Sequence, residues 1–160
     1  MNLTEFWQII DALPSKLSVE KRMEKLGGIV SKLSVSEYRD FLTCFDELKQ
    51  SIAEREDLVN AAYLANEQCL SLDVFDYFCY WLIGNGGDVF RQAMNNPDSI
   101  VDLMCLHGGP QFEEFGTAIS MGPEIDFSNA PPNPCSIRKS LWPRERQKER
   151  LPRLFSYSQV

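Results

Sequence analysis

The stretch from Ser71 to Ile83, SLDVFDYFCYWLI, limits the possible folds of this chain more than any other. Phe75, Tyr77, Phe78, Trp81, Leu82 and Ile83 share it with only two charged residues, Asp73 and Asp76. Wound as a helix, those large side chains point in nearly every direction. A helix that is apolar on most sides is buried on most sides. The segment therefore predicts a central buried helix over about residues 72–83, enclosed by other elements. The two carboxylates near its start need a role, which is capping, pairing or a site.

The surrounding pattern is helical almost throughout. Leu3, Phe6, Trp7 and Ile10 repeat at three and four residues, and Asn2 with Glu5 has the spacing of a capping box. Pro14 is expected to end that helix. Val19, Met23, Leu26 and Val30 form a second stripe opening at Ser18, which Gly27-Gly28 is expected to weaken or divide. Ser34 and Glu37 form another capping box, ahead of Tyr38, Phe41, Leu42, Phe45, Leu48 and Ile52. A fourth helix is expected from about Asp57, with Ala61-Ala62 allowing close approach of a neighbour. Ser71 is the expected N-cap of the central helix, and Gly84-Asn85-Gly86-Gly87 its stop. Shorter helices are expected over about Asp88–Met94 and from Pro97 or Asp98 to Leu106, and a last stripe runs from Phe112 to Ile119. Met121 to Pro134 reads as loop, with four prolines. The end of the chain reads as an irregular basic tail holding one or two helical turns. No run of period-two alternation is long enough for a sheet.

A length of 160 residues suits one domain with a core of its own. We therefore expect a single domain over 1–160, with a helical body over 1–122 and a Pro-rich loop and basic tail over 123–160 packed on it. No apolar run approaches the roughly 20 residues that cross a bilayer, and no basic region opens the chain as in a secretory signal. Cys44, Cys69, Cys79, Cys105 and Cys135 are odd in number and lack CxxC spacing. They read as reduced thiols, mostly in the core, of a cytoplasmic protein. The net charge of −7 argues against nucleic-acid binding. It is unevenly spread: residues 1–130 carry 9 basic and 21 acidic side chains, and residues 131–160 carry 7 and 2. The simplest use of that contrast is attraction of the tail to the acidic body; the other is recruitment of an acidic partner.

Read in order, these residues resemble the bacterial domain-of-unknown-function family 4240, whose members are sometimes found beside a WGR domain. Phe6-Trp7 with Ile10, Phe41 and Phe45, and Leu58 with Ala61-Ala62-Tyr63-Leu64 and Cys69 are similar to its earlier segments. Ser71, Asp73, Phe75, Asp76-Tyr77-Phe78 and Trp81-Leu82-Ile83 resemble its central signature. Leu151-Pro152-Arg153-Leu154 resembles its closing motif. Two positions depart from the family pattern. Leu72 stands where an acid is usual, and Cys79 where an Arg is usual. That Arg would have been the natural partner of a carboxylate. The resemblance implies an all-helical fold and a bacterial source, and brings no activity.

Chemistry-bearing candidates are few. Asp73 and Asp76 lie three apart, on one helical face. They fit a carboxylate dyad, or else a helix-dipole acid and a carboxylate bonded to a tyrosine or the backbone. His107 is the only histidine, so no two-histidine metal site is possible, and no cysteine is placed beside it. Gly84-Asn85-Gly86-Gly87-Asp88 lacks the preceding strand and following Lys of a phosphate loop. His107-Gly108-Gly109 lacks a nucleophile elbow. Neither a catalytic set, a metal set nor a cofactor loop is found, and none is expected.

The reading is an all-α single domain built around the 72–83 helix. Its expected function is that of a cytoplasmic, non-enzymatic protein-interaction or regulatory module, in one variant an immunity-like inhibitor offering an acidic surface to a basic toxin. The partner is expected to be another protein, with neither nucleic acid nor membrane. The alternative is a small enzyme or ligand-binding domain with a polar pocket at the start of the central helix. Ser71, Asp73, Asp76 and Tyr77 are the candidate ligand or partner residues under either reading. They discriminate between the two: convergence in a concave pocket favours the alternative, capping and packing favour the interaction module.

Overall fold

In the computed structural model of the chain, residues 1–13, 17–110, 112–125 and 141–159 are described. Among these, ten α-helices and one 3-10 turn are present and no strand. The fold is all-α, as the periodicity indicates. α1 (Leu3–Asp11), α2 (Val19–Val30), α3 (Val35–Ala53) and α4 (Glu56–Ala65) precede the central helix, α5 (Leu72–Gly84). α6 (Gly87–Asn95), a 3-10 turn (Pro97–Ser99), α7 (Ile100–His107) and α8 (Glu113–Ile119) follow. α9 (Arg144–Arg150) and α10 (Pro152–Tyr157) close the described chain.

The helix starts follow from local chemistry. At α1 the Asn2 side chain accepts from the Glu5 N–H at 3.0 Å, and Glu5 accepts from the Asn2 N–H at 2.7 Å. Ser34 and Glu37 make the same reciprocal pair at α3. Each box satisfies two of the donors that a helix start leaves orphaned. Ser71 Oγ accepts from the Val74 N–H at 3.2 Å and caps α5.

From its second turn onward α5 is enclosed. Phe75, Phe78, Cys79, Leu82 and Ile83 have no solvent exposure and Trp81 has 2%. α3, α4, α6 and α8 pack around it, α2 lies along α8, and α1 closes the side between α2, α3 and α6. Ala61 and Ala62 on α4 are fully buried, which keeps that helix close.

Three details differ from expectation. α2 runs unbroken through Gly27-Gly28. The reason is packing: a Cβ on Gly27 would lie 2.4 Å from the Met121 Sδ. The glycine there serves tight contact, not a break. Of the four described cysteines, Cys44 and Cys79 are buried while Cys69 and Cys105 are exposed, so the core holds only half of them; Cys135 lies outside the described residues. The end of the chain forms two short helices in place of an irregular tail. The Pro-rich loop, apart from its first residues, falls outside the described residues, as does Pro14; α1 ends at Asp11.

α10 packs against α4, the 3-10 turn, α7 and α9, and Gln147 of α9 donates to Asn60 of α4 at 3.2 Å. Trp142 is buried; its backbone N–H donates to Asn60 Oδ1 at 2.9 Å and its indole N–H to Glu56 at 3.0 Å. Asp98 accepts from the Arg153 and Leu154 N–H groups at the start of α10, and Arg153 forms a two-pronged pair with Asp102. Arg144 and Arg146 lie over the rings of Phe155 and Trp142.

Gly84 ends α5 where α8 leans on it. A Cβ there would sit 2.6 Å from Phe112 and 2.7 Å from Phe115, both buried rings with little room to turn. Gly84→Ala is expected to lose about 1–3 kcal/mol as an overpacking change, despite the better helix propensity of alanine. Urea denaturation measures it; a neutral or stabilised variant would mean that α8 is not seated as described.

Candidate functional site

The four candidate residues lie at the head of α5. Ser71 is exposed, and its hydroxyl is engaged with Val74 in the cap. Asp73 is exposed in the first turn, where the helix dipole favours a carboxylate. Tyr77 is half-buried, with its ring centroid 6.3 Å from that of Tyr80. The charge of Glu113 on α8, then partial burial, then Asp73 and Asp76, push the Tyr77 hydroxyl above its ordinary value.

Asp76 differs from the expected tyrosine or backbone bond. Its Oδ1 meets Lys49 Nζ of α3 at 2.8 Å. Lys49 is 4% exposed, which is rare for a lysine, while the Asp76 side chain keeps 37%. The ammonium also lies 5.6 Å from the Tyr80 ring centroid and 5.9 Å from that of Phe45, within cation–π range. Burial by itself would lower the Lys49 pKa, but the hydrogen bond and charge of Asp76 outweigh it and hold the amine above 10.5. Asp46, one turn earlier on α3, lies beside this pair. Burial of its carboxyl and the charge of Asp76 push its pKa up against the pull of Lys49, although the residue as a whole is exposed.

Asp73, Asp76 and Glu113 thus group around Tyr77 where α5 meets α8, with Asp46 of α3 beside Asp76 and Leu72 exposed at the helix start. The structure brings Asp73, Asp76 and Tyr77 into this group and leaves Ser71, engaged in the helix cap, at its edge. They lie at the surface, and a cavity lies elsewhere among the described residues.

That cavity sits at the opposite end of α5. It has a volume of about 310 Å³ and is lined by Ile10, Asp11, Leu13, Arg22, Asn85 and His107, with Gly86 at its edge. Gly86 has φ +103°, a value that glycine adopts without strain. The tight chain reversal brings the Gly87 N–H to Asp11 Oδ1 at 2.8 Å. Arg22 is 8% exposed. Its Nη2 donates to the Gly84 carbonyl at 2.6 Å and its Nη1 to Asn85 Oδ1 at 3.2 Å. His107 ends α7 at the mouth; burial and the charge of Arg22 hold its imidazole below 6.5.

The family model described as "Protein of unknown function (DUF4240)" matches residues 1–121. The chain belongs to that family. No curated protein and no solved structure matches it. The family resemblance puts an Arg where this member has Cys79. Here Cys79 is fully buried, and the cation for Asp76 comes instead from Lys49 on the neighbouring helix. Among the described residues no group of three or more His, Cys, Asp or Glu is placed to hold a metal ion. Nor, among them, is any helix long and apolar enough to cross a membrane.

Lys49 and Arg22 are the functional candidates that sequence reading missed. A signal existed for both. Lys49 lies four after Phe45 and three before Ile52, and Arg22 lies three after Val19 and four before Leu26. Each is a lone cation on an apolar helical stripe, and such a position demands a buried partner.

Proposed function

We propose that this member of the family is a non-enzymatic protein-interaction module of the bacterial cytoplasm, and that it meets a basic partner through the head of α5. The observation that carries the reading is the disposition of the four candidate residues. Ser71 is engaged in the cap, Asp76 is paired with Lys49, Asp73 is exposed and Tyr77 half-buried, and none of them lines the cavity at the other end of the helix. Tyr77 and Leu72 supply apolar contact there, and Asp73, Asp76 and Glu113 surround Tyr77 with negative charge. Lys49, the cation beside them, is already committed to Asp76. An aromatic centre within a charged rim is a common interface plan, and unbalanced rim charge steers an oppositely charged partner. An inhibitor that masks a basic toxin is the narrower form of this reading.

The test places a photo-crosslinking amino acid at Leu72 and, as a control, at the exposed Gln92 of α6, in the source cells. A defined crosslinked species at Leu72, absent at Gln92, is expected. It should fall at least about tenfold in the Asp73→Lys, Glu113→Lys double variant, as loss of close charge pairing does. Equal crosslinking at both positions, or a Leu72 product indifferent to charge reversal, would remove the reading.

A further inference from the structure

The cavity at the far end of α5 carries a separate inference, independent of the interaction surface. Arg22 has five N–H donors in a fixed fork. Two are engaged, by the Gly84 carbonyl and Asn85. Its Nε is buried and, among the described residues, meets no acceptor. Also among them, no carboxylate lies within ion-pair distance of Arg22. Asp11, the acid nearest in the cavity wall, has one oxygen engaged by the Gly87 N–H. A buried cation without a counter-charge is costly. The C-terminal dipole of α5 offsets part of that cost, but dipole and carbonyl leave the fork incomplete. It opens on a cavity whose volume, about 310 Å³, is at the small end of the range for ligand sites.

We propose that this cavity binds the oxyanion of a small metabolite, a carboxylate or a phosphate group, against the Arg22 guanidinium. An Arg fork matches the planar edge of a carboxylate and two oxygens of a phosphate equally well. Ile10 and Leu13 contribute a small apolar part of an otherwise polar lining. Burial lowers the Arg22 pKa from its ordinary value, without making a guanidinium neutral at cellular pH. His107, neutral at pH 7, offers one donor or one acceptor at the mouth. Asp11 opposes an anion by charge and thereby sets a second, testable sign.

The experiment titrates the full-length protein with sodium acetate and with inorganic phosphate, against sodium chloride at matched ionic strength, at pH 7.0 by the ordinary convention of buffered work. Backbone amide signals of Asn85 and Gly86 and the ring signals of His107 are followed by NMR. Saturable shifts confined to these groups, with either salt and absent in chloride, are expected. A response to phosphate alone assigns a phosphate-bearing ligand, and a response to acetate alone a carboxylate. Arg22→Gln should abolish the shifts. Should that variant fail to fold, Asp11→Asn decides: it keeps an acceptor for the Gly87 N–H, removes the opposing charge, and should tighten binding at least about threefold. Shifts equal to those in chloride, non-saturable shifts spread over the surface, or Asp11→Asn without effect would each overturn the site and leave Arg22 as a helix cap only.

Discussion

Trp81→Ala is expected to destabilise the protein by about 3–5 kcal/mol, the range for deleting a large buried aromatic. Trp81 is the largest of the fully enclosed side chains, 2% exposed, with Phe78 packed at a ring-centroid distance of 6.3 Å. It sits on the helix around which α3, α4, α6 and α8 are arranged, so the void cannot collapse by moving one neighbour. Trp81→Phe is the informative companion. The indole N–H is buried and, among the described residues, meets no acceptor. Replacing it by Phe leaves a smaller void and removes a desolvated donor, whose burial unpaired costs about 1–3 kcal/mol. Phe should therefore recover most of the loss. Equilibrium urea denaturation, with the slope checked for two-state behaviour, measures both. A Trp81→Ala variant with an unchanged midpoint would show that α5 is not the centre of the core.

The second large effect is an asymmetry in the Lys49–Asp76 pair. Lys49 is 4% exposed, whereas the Asp76 side chain is 37% exposed. Removing the lysine leaves a carboxylate that water can reach. Removing the aspartate leaves an ammonium that water cannot. Asp76→Ala is thus expected to cost about 3–5 kcal/mol near neutral pH, the range for stranding a buried charge, and Lys49→Met well under half of that. The pH dependence follows from the amine. In the wild type its folded pKa is raised above 10.5. Its contribution is then fully present below the unfolded value and is lost as pH rises through the folded one. Without Asp76, burial is the dominant influence and lowers the pKa instead. The cost of Asp76→Ala should then shrink as pH rises toward 10, the opposite slope. Denaturation midpoints of wild type and both variants between pH 6 and 10 decide it. Equal costs for the two variants, or parallel pH profiles, would contradict the burial of Lys49.

What the sequence made legible was local. Asn2 with Glu5, Ser34 with Glu37, and Ser71 all cap the helices they were read to cap, because donor and acceptor lie within three residues. The enclosure of most of α5 followed from large apolar side chains on most of its sides. Distant partners were not legible. Asp76 was visible as a carboxylate needing a partner, but that partner lies 27 residues earlier on α3, a separation that no local spacing encodes. Arg22 meets Gly84 and Asn85 more than sixty residues on, so the cavity was invisible where its residues were. Gly27-Gly28 misled because a helical glycine costs about 1 kcal/mol as propensity, while its real neighbour is Met121. Of the two terminal helices only one or two turns were legible, since both are short and Pro152 separates them as the first residue of α10.

Asn60 carries a consequence beyond this one chain. Its side chain, with no solvent exposure, accepts from the Trp142 N–H and the Gln147 amide, which arrive more than eighty residues later. Asp98 likewise receives the first N–H groups of α10. Both acceptors lie inside residues 1–121, which the family model matches, and their donors lie beyond that match. The packed unit therefore extends past the matched residues, into the segment around Leu151-Pro152-Arg153-Leu154. A relative with another ending must either bring its own donors to positions 60 and 98 or have given up the polar residues there. Substitution at those two sites should thus track the C-terminal segment rather than the signature helix.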